Sequence, residues 1–404
     1  MIEAIFLLAG LIIFLGFFSM LFFERTKIPD ILILMFLGLF LGSILSEEQI
    51  ALFNSFAPYV GAIAFMMILF NAGLNLNLVK VMKELSEVMI FMFTAFALTC
   101  FFVMVLMRVV FGWDILHGLL LGAVVGGTSS AIVISSISKI SVKESSKILL
   151  SLESALSDVL CIVVSLAVIE IILSNKIILR DNLNALFGTF SIAVVVAMIV
   201  SIIWVGILRR FHGKPFGYLL TVAVIFIMYS FVEFIRGNGA ISVLIFGLIL
   251  GNARHLQKLF NLEEKITLDT KIKAFQKEVA FFVRTYFFVY IGIIFNRNAV
   301  SWDIFLISLA VLGVILLARY LSVKGLILLD KCLKCDEMVL DTMLPRGLAA
   351  AVLASIPLSR GIKIEFFSEI VFLTIILTNV TTTIGAFLHQ RHKVDEEGKN
   401  NSSG

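Results

Sequence analysis

Leu152-Glu153-Ser154-Ala155-Leu156-Ser157-Asp158 sets two carboxylates inside an apolar run, residues 145 to 174, that is long enough to cross a bilayer. An ionised side chain in hydrocarbon is costly, so such residues face a cavity or a partner and mark ion or proton paths. The whole chain has the same character. Its 404 residues are 60% hydrophobic and 15% charged, with mean hydropathy +1.08. That excludes a soluble globular domain and implies an all-α polytopic membrane protein. The net charge of +4 comes from short basic blocks between apolar runs, which orient helices and form no nucleic-acid face.

Thirteen apolar segments fit the bilayer template: 2 to 23, 29 to 46, 56 to 74, 87 to 111, 115 to 139, 145 to 174, 186 to 210, 216 to 235, 238 to 252, 279 to 295, 302 to 328, 341 to 359 and 367 to 389. The first reads as a spanning helix and not a removable signal, because it lacks a basic start and a small-residue cleavage site. With the N-terminus outside and the C-terminus cytoplasmic, 22 of the 32 Lys and Arg residues fall in cytoplasmic loops and seven outside. The other three, Arg284, Arg319 and Arg346, fall within spans. Thirteen divides as six, one and six, which permits two six-helix inverted repeats joined by a linker helix, 186–210. Spans five and twelve then correspond. Both are interrupted, by Gly122-Ala123-Val124-Val125-Gly126-Gly127-Thr128-Ser129-Ser130 and by Pro345-Arg346-Gly347 with a later Pro357. Matched discontinuous helices 5 and 12 point to a transporter's binding site, since unwound backbone there offers carbonyls and half-helix ends to an ion. Close packing through small residues is the alternative.

Ser154 and Asp158 share one face of span six, with Ser157 beside them. A carboxylate with hydroxyls and nearby carbonyls suits a small monovalent cation or, equally, a proton. Glu153 is expected to form a structural charge pair with Arg319, its partner by depth in span eleven. Arg284 and Arg346 lie in the first turns of spans ten and twelve, where snorkelling to the interface competes with a buried role. Asn71, Asn75 and Asn77 close span three as capping groups, and Asn71 is deep enough to offer an amide oxygen to a cavity. Glu170 and Glu233, near the outer ends of spans six and eight, are expected to be interfacial or packing carboxyls. Cys100 and Cys161 read as core residues. Cys332 and Cys335 form a lone CxxC pair without the further ligands that zinc needs, so no metal site and no cofactor are expected. The five histidines lie at span ends or loops, out of reach of a mid-membrane serine or carboxylate.

These residues resemble the monovalent cation:proton antiporters, particularly the prokaryotic NhaP-like Na+/H+ exchangers. Glu153-Ser154 followed by Asp158 resembles the span-six motif, and Gly127-Thr128-Ser129-Ser130 the unwound span five. Ala318-Arg319-Tyr320-Leu321-Ser322-Val323 is similar to the span-eleven motif, and Pro345-Arg346-Gly347 to the span-twelve signature. The resemblance implies that Asp158 binds the cation or proton with help from Ser154 and Thr128, and that Arg319 pairs with Glu153. Ser157 stands where many members have Asn, Asn71 where many have an acidic residue, and Ser129 where many have Asp. The last is closer to the glutathione-gated potassium-efflux branch. The resemblance also implies a homodimer in the cell membrane. Its transmembrane domain, 1–390, would divide into an ion-binding core, 87–174 and 302–389, and a scaffold, 1–86 and 211–300, followed by a polar cytoplasmic tail, 391–404. No nucleotide-binding regulatory domain is expected after it.

The function expected is alternating-access exchange of Na+ or Li+/K+ for H+, one for one because a single carboxylate exchanges. K+/H+ antiport is the first alternative and a passive cation channel the second, disfavoured by the absence of a continuous polar stripe. An intramembrane protease is disfavoured because no mid-membrane base or second aspartate accompanies Ser154 or Asp158.

Overall fold

The computed structural model describes residues 2–26, 30–75, 85–137, 140–174, 179–210, 217–253, 270–294 and 302–402, and among them there is helix and no strand. The helices are α1 (Ile2–Thr26), α2 (Asp30–Ile44), α3 (Glu47–Asn75), α4 (Leu85–Phe111), α5 (Ile115–Val124), α6 (Ser130–Ile137), α7 (Glu144–Ser174) and α8 (Leu179–Arg210). They continue with α9 (Gly217–Phe234), α10 (Gly239–Gly251), α11 (Thr270–Ile294), α12 (Trp302–Leu329), a 3-10 turn (Lys331–Asp336), α13 (Glu337–Thr342), α14 (Leu348–Ser359) and α15 (Phe367–Ser402). Among the described residues five stretches are long and apolar enough to cross a membrane: Glu87–Phe111, Glu144–Ser174, Gly188–Leu208, Trp302–Leu329 and Phe367–Arg391. Seven shorter apolar stretches accompany them. Ile199, Ile202 and Ile203 of α8 are exposed although apolar, which fits lipid as the surrounding medium.

The chain forms two compact units, one of Met1–Ala57, Leu85–Val168 and Thr285–Gly404, the other of Pro58–Glu84 and Ile169–Arg284. In the second, α8, α9 and α10 pack together. Asn238 caps α10 by accepting the Ile241 N–H at 3.0 Å, and the Phe70 and Phe246 rings meet at 5.9 Å. Glu233 accepts the Gly239 N–H at 2.8 Å and so caps the start of α10.

In the first unit α4 turns into α5 through Gly112, whose φ of 69° suits glycine, and Asp114 accepts the Ile115 N–H at 2.8 Å. Gly122 lets the two backbones touch, since a Cβ there would lie 2.8 Å from the Cα of Cys100. Cys100 and Cys161 are buried free thiols, whereas Cys335 is exposed. Helix α12 packs against α4 and α15. A core of Phe91, Leu150, Val323, Leu326, Leu340 and Met343 closes one end of the unit. There the fully buried Asp336 accepts from the Lys143 N–H and the Ser146 hydroxyl, both at 2.9 Å, holding the first turn of α7. His389 of α15 joins that cluster, its Nε2 lying 3.1 Å from the Ser141 carbonyl oxygen. Asn77 and the side chains of Asn75, Arg284 and Cys332 lie outside the described residues.

Candidate ion-binding site

The run 115–139 is broken where its glycines predict. Helix α5 stops at Val124 and α6 starts at Ser130, leaving 125–129 non-helical. The second break, 343–347, falls slightly earlier than Pro345 alone suggests, and Leu348 onward is helical. Its cause is twofold: Pro345 has no N–H, and α13 is held in the core by Val339 and Leu340. The breaks touch. The Ser129 N–H donates to the Pro345 carbonyl oxygen at 2.8 Å, and a Cβ on Gly347 would collide with the Ser129 side chain. Gly127 lies against α7, where a Cβ would sit 2.8 Å from the Ser157 carbonyl oxygen and 2.5 Å from the Cys161 sulfur.

Unwound backbone at membrane depth needs other partners, and α15 supplies them. Thr374, Thr378 and Thr382 recur every four residues and line one face. The Leu344 N–H donates to Thr382 Oγ1 at 3.3 Å and the Arg346 N–H to Thr378 Oγ1 at 3.2 Å. Asn379 Nδ2 donates to the Arg346 carbonyl oxygen at 2.7 Å.

The two carboxylates of α7 have different surroundings. Glu153 is buried and paired. Arg319 Nη1 lies 3.1 Å from its Oε1 and Nη2 donates to Oε2 at 3.4 Å. The Thr128 hydroxyl is 3.1 Å from both oxygens. Arg319 also donates through Nε to the Leu340 carbonyl oxygen at 2.8 Å and sits over the Phe91 ring at 4.6 Å. The geometry therefore satisfies a buried charge with an opposite charge and hydrogen bonds, as a low-dielectric site requires. Asp158 is half-buried and makes no salt bridge among the described residues. Its Oδ2 accepts the Ser130 N–H at 3.2 Å and the Ser130 hydroxyl at 2.9 Å. It is thus held by neutral donors alone at the start of α6.

Ser157 lies between the two. Its hydroxyl accepts the Thr128 N–H at 3.1 Å and donates to the Ser154 carbonyl oxygen at 3.2 Å. The Ser154 hydroxyl is turned along its own helix and donates to the Ser151 carbonyl oxygen at 3.2 Å. The buried Arg346 reaches back to the Leu344 carbonyl oxygen at 3.2 Å and is within electrostatic range of Asp158 and Glu153, which is a buried position and not a snorkelling one. Asn71 is half-buried in the second compact unit, whereas the residues above belong to the first.

Asp158, Glu153, Ser157, Thr128, Ser129, Arg319 and Arg346 are thus brought together around the two breaks. Ser130 and the α15 residues Thr378, Asn379 and Thr382 were missed. Ser130 was quoted only as the end of the unwound stretch, and the four-residue spacing of the threonines was the available signal for the others.

Residues 10–390 match the family described as sodium/hydrogen exchanger, transmembrane. The chain is 27% identical over 374 residues to a probable Na+/H+ antiporter 2 of Methanocaldococcus jannaschii, covering 88% of this chain and 86% of that protein. It is 22% identical over 383 residues to the K+/H+ antiporter NhaP of Alkalimonas amylolytica, covering 93% of this chain and 64% of that protein. The structure of the sodium proton antiporter MjNhaP1 of Methanocaldococcus jannaschii at pH 8 superposes with a TM-score of 0.74 at 22% identity, over 96% of this chain and 97% of the other. That last likeness is one of fold.

Proposed function

The chain belongs to the sodium/hydrogen exchanger family, and from that premise we propose that it exchanges Na+ for H+ by alternating access, with Asp158 as the exchanging carboxylate. Family and fold are those of transporters, and cation/proton antiport is the activity of the relatives' names. One observation carries the assignment to Asp158: of the two α7 carboxylates, Glu153 is neutralised by Arg319, while the hydrogen bonds to Asp158 among the described residues come from Ser130, beside two broken helices. A proton or a small cation can each complete that carboxylate, and binding one excludes the other.

In this proposal Asp158 takes a proton on one side, releases it on the other and binds the cation in its place. Thr128, Ser129, Ser154 and Ser157 line the path. Because Glu153 stays paired, one carboxylate exchanges and transport is electroneutral. Thirteen spans as two inverted six-helix repeats around a linker, and a core of 87–174 and 302–389 moving against a scaffold, are the arrangement that alternating access calls for. The protein would act as a homodimer in lipid, N-terminus outside and C-terminus cytoplasmic, in pH and sodium homeostasis. A second reading, K+/H+ exchange, is favoured by Ser129 in place of the usual Asp and by the K+/H+ antiporter among the relatives.

The test is a pH-gradient dequenching assay in proteoliposomes with Na+, Li+ and K+, on wild type and Asp158→Asn. Dequenching by Na+ in wild type and none in Asp158→Asn is expected. Equal activity of the two would refute the site, activity with K+ alone would change the substrate, and uptake driven by an imposed membrane potential would defeat electroneutrality.

A further inference from the structure

Ser130 is the direct neighbour of Asp158, and the exchange cycle above gives it no task. It is the first residue of α6, whose start is closed by the Ser129 carbonyl oxygen accepting from Ile132 at 3.2 Å and Val133 at 2.9 Å. The Ser130 N–H therefore has no partner within its own helix, as is general at helix starts, and is directed to Asp158. Its hydroxyl reaches the same oxygen, Oδ2. Two donors converge on one oxygen of a carboxylate that makes no salt bridge among the described residues.

We infer that Ser130 is a positioning residue that sets the balance between cation and proton at Asp158, favouring the cation. This rests on the assignment of Asp158 as the exchanging group and deepens it. The chemistry is asymmetric. A proton on Oδ2 must displace one of the two donors and weaken the other, or move to the other oxygen, because donors and a bound proton compete for the same lone pairs. A cation does not compete in this way. It takes a remaining lone pair of the carboxylate and leaves both Ser130 donors in place. The family resemblance places the site's oxygens on Thr128 and Ser154, yet here the Thr128 hydroxyl is committed to Glu153 and the Ser154 hydroxyl to Ser151. Among the described residues, the hydroxyl bonded to Asp158 is that of Ser130. The charged or titratable groups acting on Asp158 are Glu153 on its own helix, Arg346 from the second break and Cys161 farther along α7. Changing Ser130 leaves all three in place.

The experiment measures Na+ KM and Vmax in proteoliposomes between pH 6 and 9 for wild type, Ser130→Ala, Ser130→Thr, Ser130→Pro and Asp158→Asn. Losing one charge-assisted hydrogen bond in Ser130→Ala is expected to raise the Na+ KM about tenfold at neutral pH, with Vmax within about twofold of wild type. Raising the pH by about one unit then restores the KM, since the competing proton becomes tenfold scarcer. Ser130→Thr keeps both donors and returns the pH profile to the wild-type position. Ser130→Pro, a residue that a first helical position accepts, removes both donors and shifts the profile further in the same direction. An unchanged KM and pH profile in Ser130→Ala, or a fall in Vmax alone, would overturn the inference, and Ser130→Ala decides if the proline variant does not assemble. With Asp158→Asn silent and Ser130→Ala unchanged, only the role of Ser130 fails. With Asp158→Asn as active as wild type, the assignment of Asp158 fails as well.

Discussion

Arg319→Ala removes three things at once. It breaks the pair with Glu153 at 3.1 Å, the bond to the Leu340 carbonyl oxygen at 2.8 Å and the stacking over Phe91 at 4.6 Å. Truncating one partner of a buried ion pair costs about 3–5 kcal/mol, because the other charge is left without compensation. The lost bond to Leu340 adds about 1 kcal/mol. The single variant should therefore lose about 4–6 kcal/mol of unfolding free energy, most of it from the stranded Glu153. That attribution is checked by Arg319→Ala combined with Glu153→Gln, which removes the stranded charge while its amide still meets the Thr128 hydroxyl. The double variant should recover about 2–4 kcal/mol relative to the sum of the singles. The measurement is a double-mutant cycle from denaturant unfolding of the purified protein in detergent. Additive losses would refute the claim that Glu153 and Arg319 serve mainly to neutralise one another, and with it the physical reason for placing exchange on Asp158 alone.

Thr378→Val should leave the Arg346 N–H without its acceptor at 3.2 Å, cost about 1–3 kcal/mol and raise amide exchange at Arg346 selectively. Gly127→Ala places a methyl 2.8 Å from the Ser157 carbonyl oxygen, and overpacking of this kind should cost about 1–3 kcal/mol and depress exchange activity by displacing the first break from α7. Asp336→Ala removes the acceptor of the Lys143 N–H and the Ser146 hydroxyl. It should cost about 1–3 kcal/mol and increase amide exchange in the first turn of α7, with Na+ KM unchanged.

Membrane class, the span that carries the two carboxylates and both interruptions were legible in the chain alone, because each is written locally. Hydrocarbon solvation demands apolar runs of fixed length, glycine and proline break helices wherever they sit, and a carboxylate such as Glu153 or Asp158 in an apolar run stands out without a partner in view. Glu153 and Arg319 could even be matched by depth. Tertiary structure alone decided which hydroxyl serves which carboxylate. Thr128 and Ser130 are two residues apart, yet the first meets Glu153 and the second Asp158. That choice depends on how the non-helical 125–129 lies across α7, and it couples residues 25 and 28 apart in sequence through the register of packed backbones. The support of 343–347 by Thr378, Asn379 and Thr382 likewise joins residues more than 30 positions apart. A hydrogen bond needs its partners within about 3.5 Å and well aligned, and only the packed chain brings such distant groups to that distance.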